Sequence, residues 1–277
     1  MDESPSPVQS QYAHGSLLKA IDAALEDASP SRQRPTVEDL APVDAFHIRG
    51  RQATRELMEG LPLPEAPAVL DVGCGIGGTA RFLADEFGAH VLGVDVTEEY
   101  CEVARELTRR VQLDDQITVR QANALDLPVE SDRFDLVVSE HVQMNVADKQ
   151  GYVREIARVL NPEGLLALYG IFAGIDGERH YPVPWADEPS VSFLARPDAF
   201  RDAVTTAGLT VLDWEDCTEE GLAWFETTLE TVQREGPPPI GLHLLIGDNT
   251  KEKMKNVVRN LREERIAIVS AVARKPA

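Results

Sequence analysis

The run Val69-Leu70-Asp71-Val72-Gly73-Cys74-Gly75-Ile76-Gly77-Gly78 constrains this chain more than any other stretch. An apolar segment carrying one acid ends in a glycine loop, and a helical pattern follows over 79–87. Strand, tight turn and helix in that order open a nucleotide-binding α/β fold. Glycines remove Cβ atoms where the backbone turns sharply and where a ligand lies against it. Gly73, Gly75 and Gly78 also fit the dinucleotide fingerprint, so the glycines alone do not choose the ligand.

Asp71 narrows the choice. It places a carboxylate just ahead of the first glycine. A pyrophosphate there would meet like charge at close range in a partly dry crevice. S-adenosylmethionine has no phosphate, and its sulfonium and ammonium both suit a nearby acid. The plain alternative for Asp71 is a turn or helix-capping carboxylate. Residues 90–96 read as the second strand, with Asp95 at its carboxyl end and Val96 beside it. An acid at that point can accept both ribose hydroxyls, a role common to dinucleotides and S-adenosylmethionine. It can equally cap the helix that begins near Thr97, and the two roles are compatible. Segments 116–121 and 133–139 read as the third and fourth strands, separated by a stretch that includes Asn123 and Ala124.

These residues resemble the class I S-adenosylmethionine-dependent methyltransferases. LDVGCGIGG, GVD, NALDLP and FDLVVSEH occur in the family's order, and the resemblance extends over about 43–277. It implies an α/β fold with a seven-stranded Rossmann-like sheet, helices on both faces, an antiparallel last strand and an N-terminal helical lid. It also implies a cofactor seat made of Asp71, Gly73, Gly75, Gly77, Asp95, Val96, Asn123 and Ala124, with Glu140 at the methionine end. The family usually has an acid on the adenine amino group where this chain has Asn123. The Asn side-chain oxygen can accept the same hydrogen bond. In relatives a glycine-containing segment like Phe46-His47-Ile48-Arg49-Gly50-Arg51 lies near the cofactor carboxylate. Arg49 or Arg51 is then a candidate partner for that carboxylate or for an acidic acceptor, with plain surface arginines as the alternative.

With 277 residues, 43% of them hydrophobic, the chain can bury a large core, and one elaborated domain is preferred to two. Residues 1–12 read as a disordered Pro/Ser-rich tail and 13–64 as a helical lid. Residues 65–277 form the methyltransferase domain, with lid insertions at 173–195 and 217–265. A formal charge of −20 disfavours nucleic-acid and anionic membrane partners. The densest basic segment, 251–265, is interleaved with acids and reads as a solvated helix face. Cys74, Cys101 and Cys217 are scattered, which suggests a reducing compartment without disulfides, and no spacing suggests a metal site. The first residues lack the basic and apolar regions of a signal peptide, and the longest strongly apolar stretch, 165–175, is too short for a bilayer. The cytoplasm is the expected location. The oligomeric state is left open, a homodimer included.

Along the chain, 16–28 places Leu17, Leu18, Ile21, Ala24 and Leu25 on one helical face. Residues 29–35 break the pattern, Thr36 starts a helix, and another covers 51–61 before Pro62 and Pro64. After the fourth strand come a helix over 149–160, a turn at 161–164, a strand over 165–172, a helix over 196–207 and a strand over 209–216. A helix around 222–232, a longer one from about 250 and a last strand over 266–273 complete the order.

In open α/β sheets, ligands lie outside the carboxyl ends of the strands. The transferable methyl should therefore face residues after the fourth and fifth strands. His141 is the candidate base there, because an unperturbed pKa of about 6.5 suits proton abstraction. An orienting hydrogen-bond donor is the alternative. Asn145 stands where many relatives carry a histidine, and it cannot act as a base at neutral pH. Prolines stiffen the loop 180–185, whose Tyr181 and Trp185 either face an amine through their rings or pack as a lid. FHIRGRQAT, EHVQMNVADK, YPVPWADEPSVSFL and GLHLL…NLRE are together similar to the sarcosine/dimethylglycine N-methyltransferase group.

The expectation is methyl transfer from S-adenosylmethionine to a small molecule, an amine such as sarcosine or dimethylglycine. His141 and Tyr181 are the catalytic candidates. His141, Asn145, Tyr181 and Trp185 face the acceptor. The alternatives are a C- or O-methyltransferase acting on a quinone, phenol or other natural product, and a non-catalytic cofactor-binding protein. Asp71 disfavours a nicotinamide dehydrogenase. The lack of an acid cluster after the fourth strand disfavours a magnesium-dependent catechol type.

Overall fold

Successive residues of the central strands enter opposite cores, as a sheet covered on both faces requires. In strand β1 (Ala68–Val72), Val69 joins one core with Leu136, Ala167 and Ile268, whereas Leu70 and Val72 join another with Val137, Leu166 and Phe172. This computed structural model describes residues 9, 15–28, 34–175, 177–247 and 249–277. The tail expected over 1–12, Gln9 apart, and 29–33 of the expected breaker lie outside them.

The other strands are β2 (His90–Asp95), β3 (Ile117–Gln121), β4 (Phe134–Glu140), β5 (Leu160–Ala173), β6 (Thr210–Asp216) and β7 (Ile266–Arg274). They form one seven-stranded sheet in the order β3-β2-β1-β4-β5-β7-β6. Strands β1 to β5 pair in parallel, and β7 runs antiparallel to both β5 and β6. The strand order reverses at β1 and β4, where such a sheet opens a crevice for a ligand.

The helices are α1 (Leu17–Ala28), α2 (Val37–Asp44), α3 (Arg51–Met58), α4 (Gly78–Phe87), α5 (Glu98–Arg110), α6 (Lys149–Val159), α7 (Pro197–Thr206), α8 (Thr218–Glu235), α9 (His243–Ile246) and α10 (Thr250–Arg262). Thr36 and Asp39 form a reciprocal capping box that starts α2. Asp148 accepts from Gly151 N at 2.8 Å to start α6. Helices α1 and α2 pack Leu17, Ile21, Leu40 and Val43 against Ile76 of the glycine loop and Tyr100, Val103 and Leu107 of α5. Ile240 and Leu245, from the far end of the sequence, complete that cluster. No helix among the described residues is long and apolar enough to cross a membrane.

Three elements differ in extent from the sequence expectation. Helix α3 stops at Met58 because Gly60, at φ 73°, turns the chain before the prolines are reached. Helix α8 starts four residues earlier and runs three further than 222–232, because its exposed first turn, with Glu219 and Glu220, has no apolar period to read. Strand β5 reaches back to Leu160, which pairs with Phe134 across an irregular register, so the expected turn at 161–164 falls within its span.

Candidate active site

The glycine loop is held by its backbone. Gly73 N and Cys74 N both donate to Val94 O, at 2.7 and 3.0 Å, so the loop is fixed to the end of β2. Gly73 sits at φ 74°, and a Cβ there would lie 2.2 Å from Val142 Cγ2, so both conformation and space demand glycine. Beyond the loop opens a cleft of about 290 Å³. It is bounded by the loop, the ends of β1 and β2, residues 122–125 after β3, and residues 140–147 after β4.

Four acids line this cleft, Asp44, Asp71, Asp95 and Glu140, and among the described lining residues there is no lysine or arginine. Asp71 is 2% exposed and its Oδ2 has no hydrogen-bond partner. Burial, followed by the fields of Glu140 and Asp95, pushes its carboxyl well above the usual carboxylate range, with the Ala80 N–H opposing. Asp95 accepts from Gly75 N at 3.0 Å and Thr97 N at 2.9 Å, and burial also raises its pKa. Glu140 accepts from Thr79 Oγ1 at 2.5 Å and from Thr54 Oγ1 at 2.9 Å, with His47 Nε2 at 3.4 Å. Crowded, dehydrated carboxylates with an unmet acceptor are relieved by a cation and burdened by a phosphate. The donor set therefore fits an adenosyl sulfonium that carries an ammonium group. Val96 and Ala124 line the same cleft. So does Asn123, whose Oδ1 accepts from Leu125 N at 2.9 Å and keeps a second lone pair for a ligand.

A second, smaller chamber adjoins the cleft. Phe46, His47 and His141 line both spaces. The rest of the chamber wall is apolar and includes Met144, Ile171 and Trp185, with Trp224, Phe225 and Met254 from α8 and α10. His141 follows β4 in a left-handed conformation at φ 54°, fixed by its N–H donating to Tyr169 O at 2.7 Å. Its ring stacks on that of Tyr169, 11° from parallel at 5.5 Å, and meets the His47 ring edge-on at 6.0 Å. Its Nε2 is buried without a hydrogen-bond partner. Burial, and secondarily the field of His47, holds its pKa well below 6.5, so the ring is neutral at ordinary pH but a weaker base than the unperturbed value expected from the sequence.

Several expected site residues are placed elsewhere. Arg49 turns to Glu56, donating to both carboxylate oxygens at 2.7 and 2.6 Å, and lines neither space. Tyr181 packs against the core beside the loop and lines neither space, so it is not brought to His141. Gly77, at φ 84°, caps α4, and a Cβ there would press on Arg81 and Ala104 rather than face the cleft. Asn145 lines the cleft, but its Nδ2 donates to Trp185 O at 2.9 Å and Val191 O at 3.0 Å, tying down the loop after β5. Trp185 does reach the chamber, with its Nε1 spent on Ser192 Oγ at 3.0 Å.

His47, Thr54 and Thr79 were missed as partners of Glu140. No motif marks a threonine in a helix, although the FHIRGRQAT stretch pointed at the segment that carries two of the three. The buried pair of Arg81 with Asp44, 2.5 Å apart, was missed too. It joins α2 to α4 behind the glycine loop, and Arg81 Nη2 also donates to Ile76 O at 2.8 Å. Among the described residues, no group of three or more His, Cys, Asp or Glu side chains could hold a metal ion.

Residues 70–168 match the family model described as a methyltransferase domain. Methyltransferase GfsG of Streptomyces halstedii is 32% identical over 208 residues, covering 72% of this chain and 75% of that protein. The glycine/sarcosine/dimethylglycine N-methyltransferase of Actinopolyspora halophila is 29% identical over 192 residues, which is 69% of this chain but 34% of that protein's length. Among solved structures, phosphoethanolamine N-methyltransferase 2 of Haemonchus contortus, in complex with S-adenosyl-L-methionine, superposes with a TM-score of 0.73 at 19% identity. That match covers 91% of this chain and 60% of the other and shows the common fold. This chain belongs to the S-adenosylmethionine-dependent methyltransferases, is related to the sarcosine/dimethylglycine N-methyltransferase group, and uses S-adenosylmethionine as its cofactor.

Proposed function

We propose that the cleft seats S-adenosylmethionine with its methyl toward His141, and that the acceptor attacks from the second chamber through an oxygen or an acidic carbon. The observation that carries this reading is His141, which lines both spaces and whose buried Nε2 has no hydrogen-bond partner. Asp95 takes the ribose hydroxyls with the lone pairs that Gly75 N and Thr97 N leave over. Asp71 and Glu140 face the positive methionine end. Asn123 and Ala124 meet the adenine. When bound, the cofactor supplies a methyl carbon on a sulfonium, a centre that needs alignment more than activation.

His141 supplies what the acceptor needs. With its proton on Nδ1, Nε2 would accept the proton that an acceptor hydroxyl or acidic carbon gives up. The stacked Tyr169 ring fixes the imidazole plane, so little orientation is lost on binding. Asn145 steadies the chamber by holding the main chain at Trp185. An amine acceptor such as sarcosine or dimethylglycine finds less support, because Tyr181 and Arg49 line neither space.

Calorimetry with S-adenosylmethionine and with NAD, followed by a mass-spectrometric screen of phenols, hydroxylated natural products, amines and thiols, tests the reading. The expected result is cofactor binding with methylated oxygen or carbon as product. Tight NAD binding without S-adenosylmethionine binding would sink the cofactor seat. Turnover confined to amines would sink the base.

A further inference from the structure

We infer that the acceptor is an uncharged, ring-bearing apolar molecule with one ionisable hydroxyl or acidic carbon, selected by a chamber that rejects charge of either sign. The inference rests on the proposed placement of cofactor and acceptor, and it concerns the wall of the second chamber. Among the described residues, that wall contains no Asp, Glu, Lys or Arg. Trp185, Trp224, Phe225 and Phe46 supply aromatic faces, and Met144, Ile171, Met254 and Val257 supply aliphatic ones. His47 Nε2 is engaged with Gly50 O at 2.9 Å, Thr54 Oγ1 at 3.0 Å and Glu140. His141 Nε2 is the chamber lining's one buried, unpartnered polar side-chain atom among the described residues.

Magnitudes decide between acceptor classes. A carboxylate enclosed here would meet no cation, and the effective cost of burying an unpaired ion is several kcal/mol. A zwitterionic amino acid would bring two such groups. An ammonium could lie on the indole faces, but a cation–π contact returns only about 0.5–2 kcal/mol, less than its desolvation costs. Apolar surface gains roughly 25 cal/mol per Å² in the same space. The aromatic share of the wall comes partly from Trp224 and Phe225 of α8, and Met254 sits on α10 opposite. The long insertion before β7 thus sets what enters. Met254 also allows the wall to be changed without touching the cofactor cleft, which it does not line.

The test is calorimetric titration at neutral pH with matched probes: 4-hexylphenol, an alkylated hydroquinone, 5-(4-hydroxyphenyl)pentanoate, sarcosine and dimethylglycine. Each is run with and without S-adenosylhomocysteine. The expected result is saturable binding of the uncharged probes and affinity for the carboxylated phenol lower by more than about tenfold. Met254→Arg should weaken 4-hexylphenol by a similar factor while S-adenosylhomocysteine affinity and thermal midpoint hold. Met254→Leu should bind it as the parent does. Equal or tighter binding of the carboxylate, of sarcosine or of dimethylglycine would overturn the inference. So would no binding of any uncharged probe to protein that still takes S-adenosylhomocysteine. Failure of S-adenosylhomocysteine itself to bind would instead strike the proposed function, while the probe arms run without it still read the chamber.

Discussion

The cleft and the chamber share a wall at Phe46, His47 and His141, yet they are built on opposite principles. The cleft collects three acids and glycine backbone from the ends of neighbouring parallel strands, with Asp44 of α2 as the fourth acid, so short contiguous segments carry nearly all of it. The chamber collects apolar side chains from residues 46–48, 144, 171, 184–185 and 224–257, which only the folded chain brings together. On the proposed reading, charge recognises a constant ligand in the first, and shape without charge recognises a variable one in the second, so relatives can keep the cofactor motif while their acceptors differ.

The largest effect should come from His141, one of the three residues the two spaces share. If His141 is the base, His141→Ala lowers turnover by roughly 10²–10⁴-fold while leaving cofactor affinity in place. Because burial holds the His141 pKa well below 6.5, the wild-type rate should stay flat through neutral pH and fall only on the acid side. The variant should lose that acid limb. Rate–pH profiles of both proteins with one acceptor decide the matter. A variant that keeps most of its rate, or keeps the limb, makes His141 an orienting group and returns the amine reading to first place.

The next effect belongs to the cleft's support. Arg81 is fully buried and paired with Asp44, and Arg81→Ala leaves that carboxylate only the more distant Arg51, at 3.8 Å. Breaking a buried pair in this way costs about 3–5 kcal/mol, read as a lower denaturation midpoint. Replacing both partners by apolar residues of similar volume should recover much of the loss, and if it does not, the pair is more than structural. Asp95→Ala is smaller and more selective. It should weaken S-adenosylmethionine by about 1.5–3 kcal/mol in calorimetry, the scale of hydrogen bonds to a charged group, with the fold intact. Unchanged affinity would remove Asp95 from the ribose.

The same contrast explains what could be read from the residues in advance. Strand β1, the glycine loop, Asp95 and the β4 end were legible because each is a local pattern with its own geometry. The antiparallel β7 was legible only through the family resemblance, since nothing in a strand's own residues states its direction. Arg49 was misplaced because an arginine near a site has many acids within reach, and Glu56, seven residues on in α3, takes it. Tyr181 was misplaced because stiff prolines say that a ring is held still, not where it points. The Asp44–Arg81 pair and the part of the chamber wall from α8 and α10 were illegible, since each joins segments far apart in sequence.

Asp71→Asn should produce the smallest change and the sharpest test of how the cleft is charged. Burial and two neighbouring acids raise the Asp71 pKa well above its unfolded value near 3.8. Above that unfolded value the unfolded chain holds fewer protons than the folded one, so this group makes stability fall as pH rises toward the raised pKa. Asparagine removes the ionisation while keeping the shape. The ligand-free variant should therefore be more stable at neutral pH, by about 0.5–2 kcal/mol, the usual gain when a strained functional position is relieved. The advantage should shrink as pH falls toward 4. Affinity for S-adenosylmethionine should drop at the same time, because the cation loses a carboxylate. Thermal melts of both proteins across that pH range, with and without cofactor, read the two effects separately. A variant that is less stable without ligand would mean that Asp71 braces the glycine loop. Stability gained with no loss of affinity would leave Glu140 alone facing the positive end.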